Sequence, residues 1–572
     1  MPLPRRHPDA GRLAVLLLMA VALRAVVIVN TTLVSRDCIV FVRYALDLED
    51  PPSATGGVLG VIRANEHPPG YPLAILAVSE VVRPFAGGET VPAMALSAQI
   101  ASAIAGVLLT IPLYLLTRRI LDRNSAFAAT AVFGVLPGFV EVTSDGISDG
   151  LFLLTAVTAL WFAVRAMRGV DRAAARRNGF GAGLCCGLGY WVRPDAAGVA
   201  LAIGLTLAGV VCVLWARRRR VELGLPPVGD RIIPRLQAGL MLIAGWLVVT
   251  APYVAIIDGP SNKPTFKALF DRLRGREIDR TYFDRAAYRP TVRLPLAAWW
   301  DPSALEGQSR SVWAMKSLGA EYAKAAHYIL PAFGLIGLFA LRRRLTDPRI
   351  ALLLVVAGLQ AVILWLLAVV IGYVSQRHTM LIVMVTCVFA GAGFHYLALL
   401  AIRAWHTDAV SRRVVRFLAP LAGSGTGESF VRGMRAVNPW MLVAIWVAIV
   451  LAVAIPRNFK SLHEERAGHK AAGLWMKDNV PAEWQIVDPF GWAEWYTGRT
   501  LRTIPNPDPA KGPGVYAVFE PNAKSPHSRL GYYEMARDLH DRPGAEMVFQ
   551  YPPGVPADQI KVAVYRVPTG RP

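Results

Sequence analysis

Apolar residues along this chain are collected into long runs, separated by short polar segments that are rich in arginine. A membrane-spanning helix needs about twenty consecutive apolar residues. Runs that meet or approach this length begin near Leu13, Ala93, Ala126, Gly150, Phe180, Ala196, Leu236, His327, Ile350, Thr379 and Pro439. The pattern therefore predicts a polytopic α-helical membrane protein with about eleven transmembrane helices.

Arginines fall into every second connection between these runs, which predicts the orientation of the chain. Loops that carry an excess of arginine stay in the cytoplasm. The basic connections hold Arg118, Arg119 and Arg123, then Arg165, Arg168, Arg172, Arg176 and Arg177, then Arg217 to Arg220, then Arg342 to Arg344, and finally Arg403, Arg412, Arg413 and Arg416. We therefore expect a cytoplasmic N-terminus and an extracytoplasmic C-terminus.

Three longer segments fall on the outer side of this topology. Segment 35–92 contains two amphipathic stretches that are too short or too polar to span, so we expect interfacial helices there. Segment 258–326 mixes both signs of charge with aromatic residues and indicates a structured loop. From residue 457 onward, helical and strand-like runs alternate between Pro and Gly residues. We predict a transmembrane domain over 1–456 and a small α/β domain over 457–572.

Composition supports a membrane protein and argues against nucleic acid. The chain is 54% hydrophobic and 18% charged, with a formal net charge of +21. That charge lies in short clusters between apolar runs, and no polar domain combines basic residues with exposed aromatics, so we expect no nucleic-acid partner. None of the five cysteines has CxxC spacing, which argues against a zinc site.

Ionisable residues at membrane depth or at its edge are costly and mark functional sites. The candidates are Asp37, Glu66, His67, Asp145, Asp149, Arg193, Asp195, Arg377 and His378. All of them fall on the expected outer side, which predicts one shared cavity. Arginine suits phosphate, and a carboxylate can orient or deprotonate a hydroxyl. The combination predicts a phosphorylated donor that reacts with a hydroxyl acceptor. Because no nucleotide-binding motif is present, a lipid-linked donor is expected.

At these residues the chain resembles the GT-C superfamily of integral-membrane glycosyltransferases, in the branch of the protein O-mannosyltransferases and aminoarabinose transferases (glycosyltransferase family 39-like). The first-loop segments SRDCIVFVRYA and EHPPGYPLAIL carry the resemblance most strongly. SDGLFLLTAVTALWFAVRAM, GLGYWVRPDAAG and SQRHTMLIVMV add to it, over 35–384. The C-terminal segment carries no motif of the family.

The resemblance implies an inverting transfer of a sugar from a polyprenyl phosphate to an acceptor hydroxyl. It makes Asp37 the catalytic carboxylate, and Asp149 or Asp145 the second acidic residue. Members of the family often carry two adjacent acidic residues in the first loop, whereas Arg36 precedes Asp37 here. Substrate contacts are expected from Glu66, His67, Tyr71, Arg193, Arg377 and His378.

Several alternatives stay open at this point. The acceptor is a lipid, a glycan or a protein, and no cofactor is required by the pattern. A divalent metal bound by Asp37, His67 and Asp149 is left open. The chain could instead be a secondary transporter, although no repeated half is visible, or a non-catalytic membrane protein that binds lipid-linked glycans. The resemblance implies the bacterial inner membrane as the location.

Overall fold

A computed structural model describes residues 9–87, 90–168, 171–221, 232–263, 307–406, 439–499, 513–522 and 538–568 of the chain. Its helices are α1 (Ala10–Val29), α2 (Arg36–Glu49), α3 (Val58–Ala64), α4 (Gly70–Val82), α5 (Thr90–Ile120), α6 (Arg123–Val135), α7 (Pro137–Val142), α8 (Asp149–Arg168), α9 (Arg172–Val192), α10 (Ala196–Val221), α11 (Ile232–Ile257), α12 (Arg310–Ala325), α13 (Leu330–Ala340), α14 (Pro348–Ile371), α15 (Met380–His406), α16 (Pro439–Ala454), α17 (Ala467–Asn479) and α18 (Trp492–Tyr496).

The prediction of a polytopic helical membrane protein is confirmed. Within the described residues, eight helices are long and apolar enough to cross a membrane, and α12 with α13 would make a ninth span if the bent pair counts as one. Every one of the eleven predicted runs is helical. The structure has fewer spanning helices than the eleven predicted runs, because three of these runs are not single, continuous apolar helices.

Each of these three departures has a local cause. Helices α6 and α7 are separated at Leu136, because Pro137 cannot donate the backbone hydrogen bond that would continue α6. Helix α9 has 21 residues but begins with a polar, arginine-bearing turn. Helices α12 and α13 meet at 92°. His327 and Tyr328 lie between them with φ of 55° and 59°, a left-handed conformation that ends a helix.

The first long loop forms the helices that the sequence predicts, but α2 is covered more fully than an interfacial helix would be. Ser35 caps α2 by accepting from the backbone N–H of Cys38 at 3.2 Å. Phe41, Val42 and Tyr44 are buried, and so is the polar residue Asp47. Helix α2 packs against α4 and α5. It is therefore a core element of the structure.

The C-terminal segment contains the expected small α/β domain. Its strands are β1 (Gln485–Val487), β2 (Gly514–Phe519), β3 (Glu546–Tyr551) and β4 (Val562–Pro568). They form one sheet in the order β1-β2-β4-β3, in which β1 and β2 are parallel and the other pairs are antiparallel. Helix α17 packs on β3 and β4. All four strands coincide with runs predicted from the sequence.

This domain packs directly on the helical bundle. Phe490, Trp492 and Trp495 belong to the same apolar core cluster as α2, α5 and α8. The end of the bundle that carries the domain is called the sheet side below. The arginine clusters lie at the opposite ends of the same helices, as in α5 and α9. The predicted loop 258–326 is described at 258–263 and 307–326, and its remainder and residues 407–438 lie outside the described residues.

Candidate functional site

A cavity of about 220 Å³ lies at the sheet side of the bundle. Its walls come from α2, the turn before α4, the start of α8, the break between α9 and α10, the end of α14 and the turn before α15. Seven of the predicted site residues line it: Asp37, His67, Asp149, Arg193, Asp195, Arg377 and His378. The structure thus brings together charges from five separate parts of the chain.

Asp37 and Arg377 form an ion pair in this cavity. The carboxylate Oδ2 of Asp37 accepts from Nη1 of Arg377 at 2.5 Å. Asp37 stands in the first turn of α2, where the helix dipole favours a negative charge. Burial alone would raise the pKa of Asp37, but the guanidinium of Arg377 outweighs burial and holds the pKa well below its usual range. Asp37 is therefore ionised at neutral pH.

Arg193 joins two carboxylates on the opposite wall. Its Nη1 donates to Oδ1 of Asp149 at 2.6 Å, and its Nε donates to Oδ2 of Asp195 at 2.9 Å. Pro194 cannot extend α9, which leaves Arg193 at the helix break with its side chain in the cavity. Burial lowers the pKa of Arg193, but the two carboxylates outweigh burial and raise it. The same contact lowers the pKa of Asp195, against the effect of burial.

Lys263 and Tyr373 also line the cavity and were missed from the sequence. Lys263 follows α11 in a loop with both signs of charge, so nothing in its local sequence distinguishes it. Burial and the nearby Arg193 lower its pKa. Tyr373 lies edge-on to the ring of His378, with centroids 5.8 Å apart. Both residues could be recognised only through the neighbours that the fold gives them.

His67 is held as a neutral ring at the edge of the cavity. Its ring lies 4.9 Å from that of Phe41, which also lines the cavity. Burial, followed by the charge of Lys263, lowers the pKa of His67 to about 3. A neutral imidazole can donate one hydrogen bond and accept another. His67 can therefore orient a substrate hydroxyl without adding charge.

Three predicted site residues do not line the cavity. Asp145 is buried and accepts from the backbone N–H of Ser35 at 3.0 Å, two residues before Asp37. Tyr71 is fully buried, and its hydroxyl lies 2.8 Å from Oγ of Ser102. Glu66 lies beside His67 in the chain, and burial raises its pKa to about 8. Asp145 and Tyr71 therefore contact residues beside the cavity, namely Ser35 and Phe41, and do not line it themselves.

Comparison with known proteins relates part of the sequence to one family and the whole chain to one fold. Residues 67–224 match the family of dolichyl-phosphate-mannose-protein mannosyltransferases. The apo structure of ArnT from Cupriavidus metallidurans aligns over 98% of both chains with a TM-score of 0.51 and 13% identity. Residues 67–224 therefore resemble this family in sequence, and the chain as a whole shares the fold of ArnT.

Other solved structures share the fold. ArnT from the same organism bound to undecaprenyl phosphate aligns over 98% of both chains, with a TM-score of 0.50 and 13% identity. The oligosaccharyltransferase of Archaeoglobus fulgidus, tethered to an acceptor peptide, aligns over 99% of this chain and 76% of its own, with a TM-score of 0.52 and 13% identity. At such identity the likeness concerns the fold. No curated protein sequence matches the chain.

The charges in this cavity are balanced, with three cations and three carboxylates. The cations belong to Arg193, Lys263 and Arg377, and the carboxylates to Asp37, Asp149 and Asp195. Within the described part of the chain, no three His, Cys, Asp or Glu side chains are arranged to hold a metal ion. The carboxylates of Asp37 and Asp149 already accept hydrogen bonds from arginines. The residues that line the cavity therefore suit the binding of an anion better than the binding of a metal ion.

Proposed function

We propose that this protein is an inverting glycosyltransferase that moves a sugar from a polyprenyl-phosphate donor to an acceptor hydroxyl at the outer face of the membrane. The observation that carries the proposal is the pairing of Asp37 with Arg377 in a cavity that also holds Arg193 and Lys263. The cavity offers an ionised carboxylate to a hydroxyl and three cations to a phosphate.

The cations define the donor half of the reaction. Arginine binds phosphate oxygens through two parallel hydrogen bonds and keeps its charge at any pH. Lys263 lies close enough to Arg193 and Arg377 for their positive charges to lower its pKa. We infer that these three residues hold the donor phosphate and stabilise the negative charge that it gains as the bond to the sugar breaks.

Asp37 defines the acceptor half. The acceptor oxygen attacks the anomeric carbon from the face opposite the phosphate, the bond from that carbon to the phosphate oxygen breaks, and the configuration inverts. The hydroxyl proton passes to Asp37, and the polyprenyl phosphate leaves with the bonding electrons. A carboxylate that accepts from the hydroxyl also stabilises the cationic character of the sugar in the transition state.

Donor binding would make Asp37 a better base. In the free protein, Arg377 holds the pKa of Asp37 low, which weakens it as a proton acceptor. A donor phosphate that draws hydrogen bonds from Arg377 would weaken this hold and raise the pKa of Asp37. The carboxylate would therefore become basic when the donor is in place.

An apolar groove offers room for the lipid chain of the donor. It has a volume of about 660 Å³ and lies between α10 and α11. Its lining begins at Ala197, two residues after Asp195 of the cavity, and it includes Leu201 and Leu205, which are exposed at the bundle surface. An isoprenoid chain could lie in this groove while its phosphate occupies the cavity, since apolar side chains line most of it. The ArnT structure with undecaprenyl phosphate gives a precedent among proteins of this fold.

The membrane side follows from the arginine distribution. Because the basic clusters lie at the helix ends opposite the cavity, the positive-inside rule assigns the cavity and the C-terminal domain to the outer face. A donor that reaches the cavity from within the bilayer would need no soluble nucleotide pool. This orientation is part of the proposal, as is the bacterial inner membrane.

The test is sugar transfer by purified protein from a panel of synthetic polyprenyl-phosphate sugars, with donor hydrolysis scored as well. Asp37→Asn should abolish turnover and leave the protein folded, whereas Asp50→Asn, at the exposed far end of α2, should remain active. Wild-type turnover in Asp37→Asn would refute the role of this carboxylate. Donor binding without turnover in any variant would favour a non-catalytic lipid-linked-glycan-binding protein, and ion-coupled uptake into proteoliposomes would favour a transporter.

A further inference from the structure

The segment that leads into α2 is held by the C-terminal domain. Oγ of Ser461 donates to the carbonyl of Asn30 at 2.5 Å, and the backbone N–H of Thr32 donates to the carbonyl of Leu462 at 3.2 Å. Nζ of Lys470 donates to the carbonyl of Thr32 at 2.9 Å. These contacts fix the backbone a few residues before Asp37, although their donors and acceptors are more than 400 residues away in the chain.

Trp492 and Glu494 of α18 extend these contacts to α2 itself. Nε1 of Trp492 donates to the carbonyl of Val34 at 2.9 Å. A carboxylate oxygen of Glu494 lies 3.7 Å from Nη2 of Arg43, two turns along α2 from Asp37. Both Trp492 and Glu494 are buried, so the hydrogen bond of Trp492 and the ion pair of Glu494 are shielded from water. The domain therefore contacts α2 at its start and in its middle.

Asp145 connects the two domains at the residue that caps α2. Its Oδ1 accepts from the backbone N–H of Ser35 at 3.0 Å, and its Oδ2 lies 3.0 Å from Nε2 of His463. Oγ of Ser35 also lies 3.4 Å from the carbonyl oxygen of Asp145. One buried carboxylate thus joins the N-cap of the Asp37 helix to the C-terminal domain.

His463 adopts a backbone conformation that the surrounding contacts must maintain. Its φ is 57°, in the left-handed region that L-residues other than glycine seldom occupy. A conformation of this kind persists where neighbouring structure over-determines it. The contact with Asp145 is therefore maintained at a cost, which is the pattern expected of a residue that positions another group.

We propose that the C-terminal domain is a positioning element of the active site, and that Asp145 and His463 are positioning residues for Asp37. The set is called the C-terminal brace and consists of Ser461, Leu462, His463, Lys470, Trp492 and Glu494. In this assignment Asp145 acts through Ser35 and contacts no reacting atom. The assignment rests on the proposed function, because it treats Asp37 as the reacting carboxylate.

Hydrogen exchange tests the brace without any substrate. In full-length protein in nanodiscs, His463→Ala should speed the exchange of amides in peptides covering α2 by about fivefold, which corresponds to the loss of one hydrogen bond. His463→Gln, whose amide can donate to Asp145, should restore slow exchange. His540→Ala is the matched control, since it removes a histidine whose contacts, with Asp541, Phe519 and Tyr565, all lie within the C-terminal domain. Unchanged exchange in α2 of His463→Ala would overturn the proposal.

A second variant covers the case in which His463→Ala fails to fold. Trp492→Phe keeps an aromatic ring but removes the indole N–H that donates to the carbonyl of Val34. This variant should also speed amide exchange in α2. Equal acceleration in every helix would indicate general destabilisation and would count against the brace.

Kinetics separates positioning from donor binding. Because Asp37 acts on the acceptor while the cations hold the donor, His463→Ala should lower kcat by about tenfold, leave the KM for the donor within about twofold, and be rescued in His463→Gln. A raised donor KM with unchanged kcat would contradict this role. If wild-type protein transfers no sugar, the proposed function fails, while the exchange measurement still decides whether the brace holds α2.

Discussion

Replacing Arg193 with Met would leave two buried carboxylates without the cation that contacts them both. The exposed fractions of the side chains are 13% for Arg193, 6% for Asp149 and 14% for Asp195. These pairs are therefore shielded from solvent, and removing one partner of a buried pair costs about 3–5 kcal/mol. We expect Arg193→Met to lower the midpoint of thermal unfolding by at least about 5 °C at pH 7.5.

The loss should depend on pH in a defined direction. In the wild type, Arg193 lowers the pKa of Asp195 in the folded state, so this group stabilises the protein at neutral pH and loses its effect as pH falls through the folded pKa. In Arg193→Met, Arg193 no longer offsets the burial of Asp195, so this carboxyl binds a proton more readily. The difference in midpoint between wild type and variant should therefore be largest above pH 7 and should shrink below roughly pH 5.

The assay is thermal unfolding in nanodiscs at one fixed scan rate, followed by tryptophan fluorescence. Arg566→Met is the control, since it removes an exposed pair with Glu546 and should change stability by less than about 1 kcal/mol. In the double variant Arg193→Met with Asp149→Asn, the loss should be smaller than the sum of the single losses by about 0.5–3 kcal/mol. An unchanged midpoint, a gap that is constant with pH, or strict additivity would refute the reasoning.

Four further predictions concern the cavity and its supports. Arg377→Gln should lower transfer by about 100-fold, and kcat/KM should gain an acid limb because the pKa of Asp37 rises without its cation; an unchanged pH profile would contradict the pairing. Gly146→Ala should destabilise the protein by about 1–3 kcal/mol, since φ is +73° and the new Cβ would lie 2.5 Å from Sγ of Cys38; wild-type unfolding would refute this. Glu66→Gln should make the protein more stable than wild type at pH 9 and not at pH 4, because burial holds the pKa of Glu66 at about 8 and its ionisation is then destabilising; equal pH dependence of unfolding would count against it. Removal of divalent ions by a chelator should leave turnover within about twofold of the untreated value. A larger loss would require a metal site other than the carboxylates that pair with arginines in the cavity.

The sequence by itself determined the class of the protein, a polytopic helical membrane protein with a small C-terminal α/β domain. Apolar runs of bilayer length, strand-like runs bounded by Pro and Gly in the C-terminal segment and the alternation of arginine-rich connections are local properties, so they can be recognised without a fold. The four strands and α17 appear where these patterns predict them. The expectation of a shared cavity also holds for Asp37, Asp149, Arg193 and Arg377.

Only the tertiary structure decided which charges meet. Asp37 and Arg377 are 340 residues apart, and Asp145 contacts Ser35 and His463 across 110 and 318 residues. Helix packing sets these distances, and the same sequence motifs would be compatible with other pairings. For this reason the sequence offered Asp145 and Asp149 as equivalent candidates for the second acidic residue. Helix packing places Asp149 in the cavity and Asp145 at Ser35, the N-cap of α2.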